Sequence, residues 1–360
     1  PLARRFARLE MAPLRAHHST MWIAFVCLLG LAGFTLMPLP WLAVGLPWMP
    51  LVVTFGLIPL LDAVVGVARS GRPVGLQRLP ERVARWLPRA QLPVQALLLA
   101  AAVVRAPTLS AAELFWFALS LGTVTGGIGI TVAHELGHRP AALDRTLARL
   151  LLVSVAYGHF YVEHNRGHHA RVATPEDPAT APRGMHAYRF ILRSAWGSLR
   201  HAWRLEALRL GARGMSVWHP SNWVLGGSAL SLGIALAAWQ VGGAAALLLW
   251  VGQSVVAVAL LEVVNYIEHY GLQRRRVGAR YEPVRPEHSW NADFPVSNWL
   301  LFNLQLHSDH HAHVARPYEA LRSMPAAPQL PAGYPAMVVV ALVPPLWFAL
   351  MHRRLAALAA

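Results

Sequence analysis

The sequence predicts an all-α integral membrane protein, six transmembrane helices with a histidine-rich cap on the cytoplasmic side. Three observations predict it. Of 360 residues, 55% are hydrophobic and only 14% are Asp, Glu, Lys or Arg, where a soluble domain carries about 25% charged residues. Apolar runs of about 20 residues, the length that crosses a bilayer core, recur along the chain. The 18 histidines, more numerous than the 17 acidic residues, gather in the segments that border those runs.

The runs fall at roughly 21–42, 43–68, 92–110, 112–134, 222–241 and 243–268. Pairs of them are joined by tight turns of at most a single charge: Pro38-Leu39-Pro40, Ala106-Pro107 and Gln240-Val241-Gly242-Gly243. Arginine sits in the other connections. Arg4, Arg5, Arg8 and Arg15 precede Met21, and Arg69, Arg72, Arg78, Arg82, Arg85 and Arg89 separate spans two and three. Basic residues stay on the cytoplasmic side, which places both termini and the cap there in a multi-pass inner-membrane protein. The run from Met21 is too long for a signal peptide and a second span follows at once. The expected organisation is a basic cytoplasmic segment 1–20, transmembrane helices 21–134, a cytoplasmic segment 135–221, transmembrane helices 222–268 and a cytoplasmic segment 269–360. The apolar piece Tyr334 to Met351, broken by Pro344-Pro345, reads as an interfacial or packed helix and not a seventh span.

The net charge of +15 comes from 32 basic residues, all arginine. In such a chain it marks a cytoplasmic face and gives no reason to expect nucleic acid. A single cysteine, Cys27, excludes a disulfide framework, a cysteine-ligated zinc site and an iron–sulfur centre within this chain.

Three histidine clusters carry the chemistry. His134-Glu135-Leu136-Gly137-His138 closes the fourth span with histidines at i and i+4, on one helical face and able to share a metal. Alone it is an HExxH signature of a zinc protease with Glu135 as base, or simply two solvated histidines at a helix end. The second cluster has His164, His168 and His169, and the third His307, His310 and His311, followed by His313. Eight imidazoles at helical spacing exceed what one tetrahedral metal uses, which argues for two metals, and imidazole suits iron, zinc, copper or nickel. His269 at the end of span six is a ninth candidate. Asn265, Glu262 and Glu268 in the same helix are costly in lipid and so face the bundle interior. Glu135, Glu163, Glu268 and Asp309 each adjoin a candidate ligand and, with Asn265, are candidates for orienting the ligands. Salt bridges to Arg139, Arg166 or Arg171 are the competing role for these carboxylates.

His-x3-His, His-x3-His-His and His-x2-His-His resemble the eight-histidine pattern of the integral-membrane desaturase and hydroxylase superfamily. Within it the chain resembles the membrane-bound non-haem di-iron alkane 1-monooxygenases, through His134–Arg139, Glu163–Ala179, Asn265–Leu272 (NYIEHYGL), Leu304–His313, His288-Ser289-Trp290-Asn291 and Ala327–Pro331. The resemblance implies two non-haem irons held by nine histidines: His134, His138, His164, His168, His169, His269, His307, His310 and His311. His313 is implied to be exposed or to support a ligand. His17, His18, His159, His186, His201, His219, His288 and His352 are read as loop, interfacial or packing residues. The chain departs from the family at Leu306, where arginine is usual, at Val314-Ala315-Arg316-Pro317-Tyr318, and in a loop after Asp62 that lacks acidic residues. These departures are expected to touch the redox docking surface and substrate range.

The implied reaction is hydroxylation of the terminal methyl of medium- and long-chain n-alkanes to primary alcohols, with O2 as co-substrate. An alkane C–H bond offers no acid or leaving group, so a metal centre must supply the oxidant while the protein places substrate and excludes water. Electrons are implied to come from an acidic rubredoxin or ferredoxin with its NAD(P)H reductase, separate or fused. Zinc can substitute in a recombinant sample. The partners are therefore membrane lipid, alkane and the redox donor. Gly122, Gly126, Gly127 and Gly129, just before His134, either line the substrate path or allow close helix packing. Trp41 and Trp48 either limit chain length or belong to an interfacial aromatic belt. A xylene-type methyl hydroxylase or fatty-acyl desaturase is the nearest alternative. An intramembrane HExxH zinc protease and a metal transporter are alternatives of other classes.

Overall fold

The computed structural model describes residues 21–68 and 75–359. The basic segment 1–20, including its four arginines and His17 and His18, lies outside the described residues, as do Arg69 and Arg72. Helices α1 (Met21–Leu36) and α2 (Met49–Val65) come first. They are shorter than the runs 21–42 and 43–68 because Pro38, Pro40, Gly45 and Pro47 fold the intervening chain into turns and a short helix, Pro38–Ala43. Helix α3 (Gln91–Arg105) follows. Helix α4 (Ala111–His138) starts at a capping box in which Ser110 Oγ accepts from Glu113 N–H at 3.3 Å and Ser110 N–H donates to Glu113 at 2.9 Å. It ends beyond the expected residue 134, so His134 and His138 share its last turns.

Three cap helices come next: α5 (Ala142–Val153), α6 (160–171) and α7 (Ala187–Gly211). The helical stretch Trp223–His269 has 47 residues, or about 70 Å at 1.5 Å per residue, twice the ~30 Å bilayer core. It is broken where Gly243 takes φ +60°, a left-handed conformation that only glycine adopts at low cost. The result is two antiparallel helices, α8 (223–241) and α9 (244–269). A two-strand hairpin pairs Arg276–Val277 with Arg280–Tyr281, and α10 (Pro295–Leu300) and α11 (His307–Ala312) follow. Helices α12 (Tyr334–Ala341) and α13 (Pro344–Ala359) meet at 119°. Both pack into an apolar cluster through Tyr334, Met337, Val338, Trp347 and Met351. Among the described residues, Glu81–Thr108, Ala111–His138 and Trp223–His269 are long and apolar enough to cross a membrane, with a fourth if the bent pair counts as one.

Polar side chains inside the bundle satisfy one another, as a lipid surround demands. Thr35 donates to Gln91 at 3.1 Å, Gln91 to Gln95 at 3.1 Å, and Gln95 to Ser154 at 2.8 Å. Thr125 donates to Gln253 at 2.8 Å and so ties α4 to α9. The small residues of α4 divide by face. A side chain at Gly122 would strike Val256, one at Gly126 the Ala257 backbone, and one at Gly129 the Gln95 amide, so these three serve packing. Gly127 has open space beside it.

Candidate metal centre

All nine sequence-predicted ligands come together at the cap end of α4 and α9, in two groups. His134, His138, His164, His169 and His310 form one, and His168, His269, His307 and His311 the other. Within each group the candidate ligand atoms all lie within 4.8 Å of one another. Helix α4 supplies its pair at i and i+4. Helix α6 contains a π-turn over His164–His168, whose i→i+5 repeat aims His164 and His169 at the same point, with Nε2 atoms 2.9 Å apart. His168, between them, is turned to the second group. In α11 the i, i+4 pair His307 and His311 joins the four-histidine group at 2.9 Å, while His310 crosses to the five-histidine group and lies 3.2 Å from His169.

The residues fit a metal pair. Further Nε2 contacts are 3.1 Å for His138–His164, 3.2 Å for His168–His311 and 3.2 Å for His269–His307. Two imidazole nitrogens about 2.1 Å from one first-row metal and at right angles to each other are about 3.0 Å apart. His134 Nε2, buried in the first group, has no hydrogen-bond partner. Lone pairs crowded in this way repel unless a cation sits among them. Burial first, and neighbouring imidazoles second, hold His164, His169, His307, His310 and His311 well below the ordinary histidine value. They are therefore neutral near pH 7, the state that binds metal.

His168 differs. Burial disfavours its charged form, but the Asp177 carboxylate 3.0 Å from its Nδ1 outweighs that and raises it. Asp177, held in turn by Thr180 at 2.7 Å, fixes His168 with Nε2 free toward the group. Asp177→Asn is expected to weaken metal retention in the four-histidine group about 10–100-fold, read by chelator competition. The five-histidine group should keep its ion.

Of the five residues expected to orient ligands, only Glu268 touches a ligand nitrogen, with Oε2 3.2 Å from His307 Nε2. Glu135 accepts from Arg139 at 2.9 Å, and Asn265 donates to Glu262 at 3.2 Å. Glu163 meets His201 at 3.1 Å, while Arg166 pairs with Glu206 instead. Asp309 accepts from His313 at 2.7 Å, from Arg316 at 2.6 Å and from Arg322 N–H at 2.8 Å, and so pins the loop after α11. Sequence reasoning did not single out Asp177, nine residues beyond His168, or Tyr334, 27 residues beyond His307. No periodicity links a loop residue to a helix it folds back on.

Two cavities adjoin the elements that carry the histidines. An apolar one lies between α1, α2, α4, α9, α10 and α12, lined by Phe34, Thr54, Phe55, Ile58, Gly126, Gly127, Leu260, Val264, Leu304 and Tyr334 among others. The π-turns Val53–Leu57 and Thr125–Ile130 both contribute to its wall. Trp41 and Trp48 do not line it. A polar groove reaches His138 from the cap surface between Arg85, Arg89, Arg139, Asp144, Arg316 and Glu319. Leu306, expected at the docking surface, is buried beneath the third cluster instead, because it precedes the first turn of α11 and faces inward.

A sequence model of the fatty acid desaturase family matches residues 110–341. The chain is 41% identical to alkane 1-monooxygenase 2 of Pseudomonas aeruginosa, over 98% of this chain and 96% of the relative. It is 41% identical to an alkane 1-monooxygenase of Pseudomonas putida over 86% and 79%. A xylene/toluene monooxygenase hydroxylase component of Pseudomonas putida is 32% identical over 65% and 62%.

Proposed function

The chain belongs to the alkane 1-monooxygenases, within the fatty acid desaturase family, and on that premise we propose that its two histidine groups each hold one non-haem iron and hydroxylate the terminal methyl of medium- and long-chain n-alkanes. The observation that carries this is the division of nine imidazoles into groups of five and four, on elements that also form the wall of an apolar cavity. When bound, the irons supply O2 activation and the oxidising power that breaks an unactivated C–H bond. The balance is alkane, O2, two electrons and two protons to alcohol and water.

The chain's own residues do the rest. The apolar cavity takes the hydrocarbon out of lipid and excludes water. Its wall includes Thr131, three residues before His134, and Leu304, three residues before His307, so it delivers a chain end beside both groups. The groove at His138 gives water and protons a separate polar route to the five-histidine group.

In the membrane reading, α1, α2, α3, α4, α8 and α9 are six spans of an inner-membrane protein. Segments 135–221 and 269–360 then lie with both termini in the cytoplasm, the side where arginine concentrates. The pieces 1–20, 21–134 and 222–268 follow from the same topology. The electron donor is an acidic rubredoxin or ferredoxin. The groove's arginines face Glu81, Glu135, Asp144 and Glu319, so the excess positive charge lies elsewhere on the cap, at exposed Arg189, Arg200, Arg204, Arg276 and Arg280. Such a face speeds encounter with an acidic partner in a salt-dependent way. Reduction by the donor is expected to slow about tenfold or more between low and high ionic strength, measured by stopped flow.

The zinc-protease reading of His134–His138 requires Glu135 as a free base, but Arg139 holds that carboxylate and three further histidines occupy the site. Turnover of octane under 18O2 by the purified, iron-loaded protein with a reducing system tests the function. Labelled 1-octanol is the expected product. Octene, or no oxidation, would overturn the reading.

A further inference from the structure

On the reading of α8 and α9 as membrane spans, we propose that the first half of α7 lies in the membrane interface. Its outer face sinks apolar side chains among the lipids and sets two arginines against anionic phospholipid headgroups.

The sequence of α7 divides its sides. Phe190, Ser194, Ser198 and Ala202 recur every four positions and are buried against the protein. Tyr188, Leu192 and Trp196 face outward and are 51%, 76% and 61% exposed. A helix turns about 100° per residue, so these three span about 80° of arc, with Arg189 and Arg200 just beyond Trp196. Both arginines are exposed. Glu206, the only acidic residue of α7, is buried and paired with Arg166 and Arg209. The outer face thus presents large apolar side chains flanked by positive charge, with no carboxylate. A helix of this pattern lies in the interface plane, with arginine stems reaching up to the headgroups.

The placement of α7 is an independent observation. Its first turn meets α9 one turn before His269, where the Phe190 and Tyr266 rings are 5.5 Å apart. Its far end meets the first residue of α8, whose Trp223 N–H donates to Glu206 at 2.9 Å. Both ends therefore stand at the level where the spans leave the membrane, and α7 runs across the bundle, not through it. The Tyr188 hydroxyl donates to the Leu342 carbonyl at 2.7 Å, at the bend between α12 and α13. Val343 and Leu346, beside that bend, are 47% and 51% exposed. The apolar face of α7 is thus continuous with apolar surface next to the spans, and lipid covers both. Arg204 on the same helix, and Arg276 and Arg280 on the hairpin, remain for the redox donor.

Nitroxide labels on the full chain in phospholipid vesicles test this. In a Cys27→Ala background, labels are placed at Leu192→Cys and Trp196→Cys. Leu232→Cys, on exposed mid-span α8, is the lipid reference and Arg276→Cys the water reference. Melting curves confirm folding. Power saturation compares collision with oxygen, which concentrates in lipid, and with a water-soluble nickel complex. The labels at 192 and 196 should follow the label at 232, with oxygen the stronger relaxant, opposite to the label at 276. Raising phosphatidylglycerol from none to half of the lipid should lower nickel accessibility at 196 about twofold or more, and Arg189→Gln with Arg200→Gln should remove that response. Labels at 192 and 196 that follow the label at 276 would overturn the proposal, as would immobilisation only on addition of an electron-donor protein. A phosphatidylglycerol response that survives loss of both arginines would overturn their part in it. A label at 232 exposed to nickel would instead overturn the reading of α8 as a span.

Discussion

His269→Ala is expected to leave one metal ion per chain in place of two and to abolish alkane hydroxylation. His269 is the sole contribution of α9's imidazoles to the four-histidine group, and it is fully buried among His168, His307 and His311. Removing it leaves three imidazoles around a hole in the donor set. Metal catalysis is worth several kcal/mol of barrier, and each 1.4 kcal/mol is tenfold, so activity should fall by at least about a thousandfold. The five-histidine group shares no ligand with it and should stay loaded. Metal analysis of the folded variant reads both halves of this expectation. Two ions and undiminished hydroxylation would remove His269 from the site altogether.

Gly127→Phe is expected to shift the substrate range and spare the fold. Gly127 lines the apolar cavity, and a carbon added there meets only Leu260, at 3.9 Å. A phenyl ring would occupy the space of about three methylenes, and each buried methylene is worth about 0.8 kcal/mol. Long alkanes should lose roughly 50-fold in kcat/KM relative to short ones. Gly126→Val is the contrasting change, because a carbon added there would come 2.8 Å from the Ala257 α-carbon. Overpacking of this kind costs about 1–3 kcal/mol and should lower the melting temperature while affecting long and short substrates alike. Competition between octane and dodecane reads the difference. An equal fall for both substrates in Gly127→Phe would show that the cavity is not the alkane path.

The nine gathered histidines were legible in the sequence because imidazole is rare in an apolar chain and helical spacing puts such residues on one face. Their division was not legible. An ideal helix would pair His164 with His168, but the π-turn pairs His164 with His169 and sends His168 to the other group. The apolar runs marked six helices, and the break at Gly242-Gly243 falls in the turn that hydropathy placed there. Helix phase decides what each small residue does, which is why Gly126 packs on α9 while its neighbour Gly127 faces open space. The carboxylates next to ligands in sequence largely serve other partners, while Asp177 reaches His168 from a loop. Contacts made by chain folding back on itself leave no periodic trace.

Each histidine group is proposed to hold one iron. Iron quantification on the purified, iron-loaded, catalytically active protein decides the stoichiometry. The geometry predicts two irons per chain. One iron per chain at full activity would contradict it.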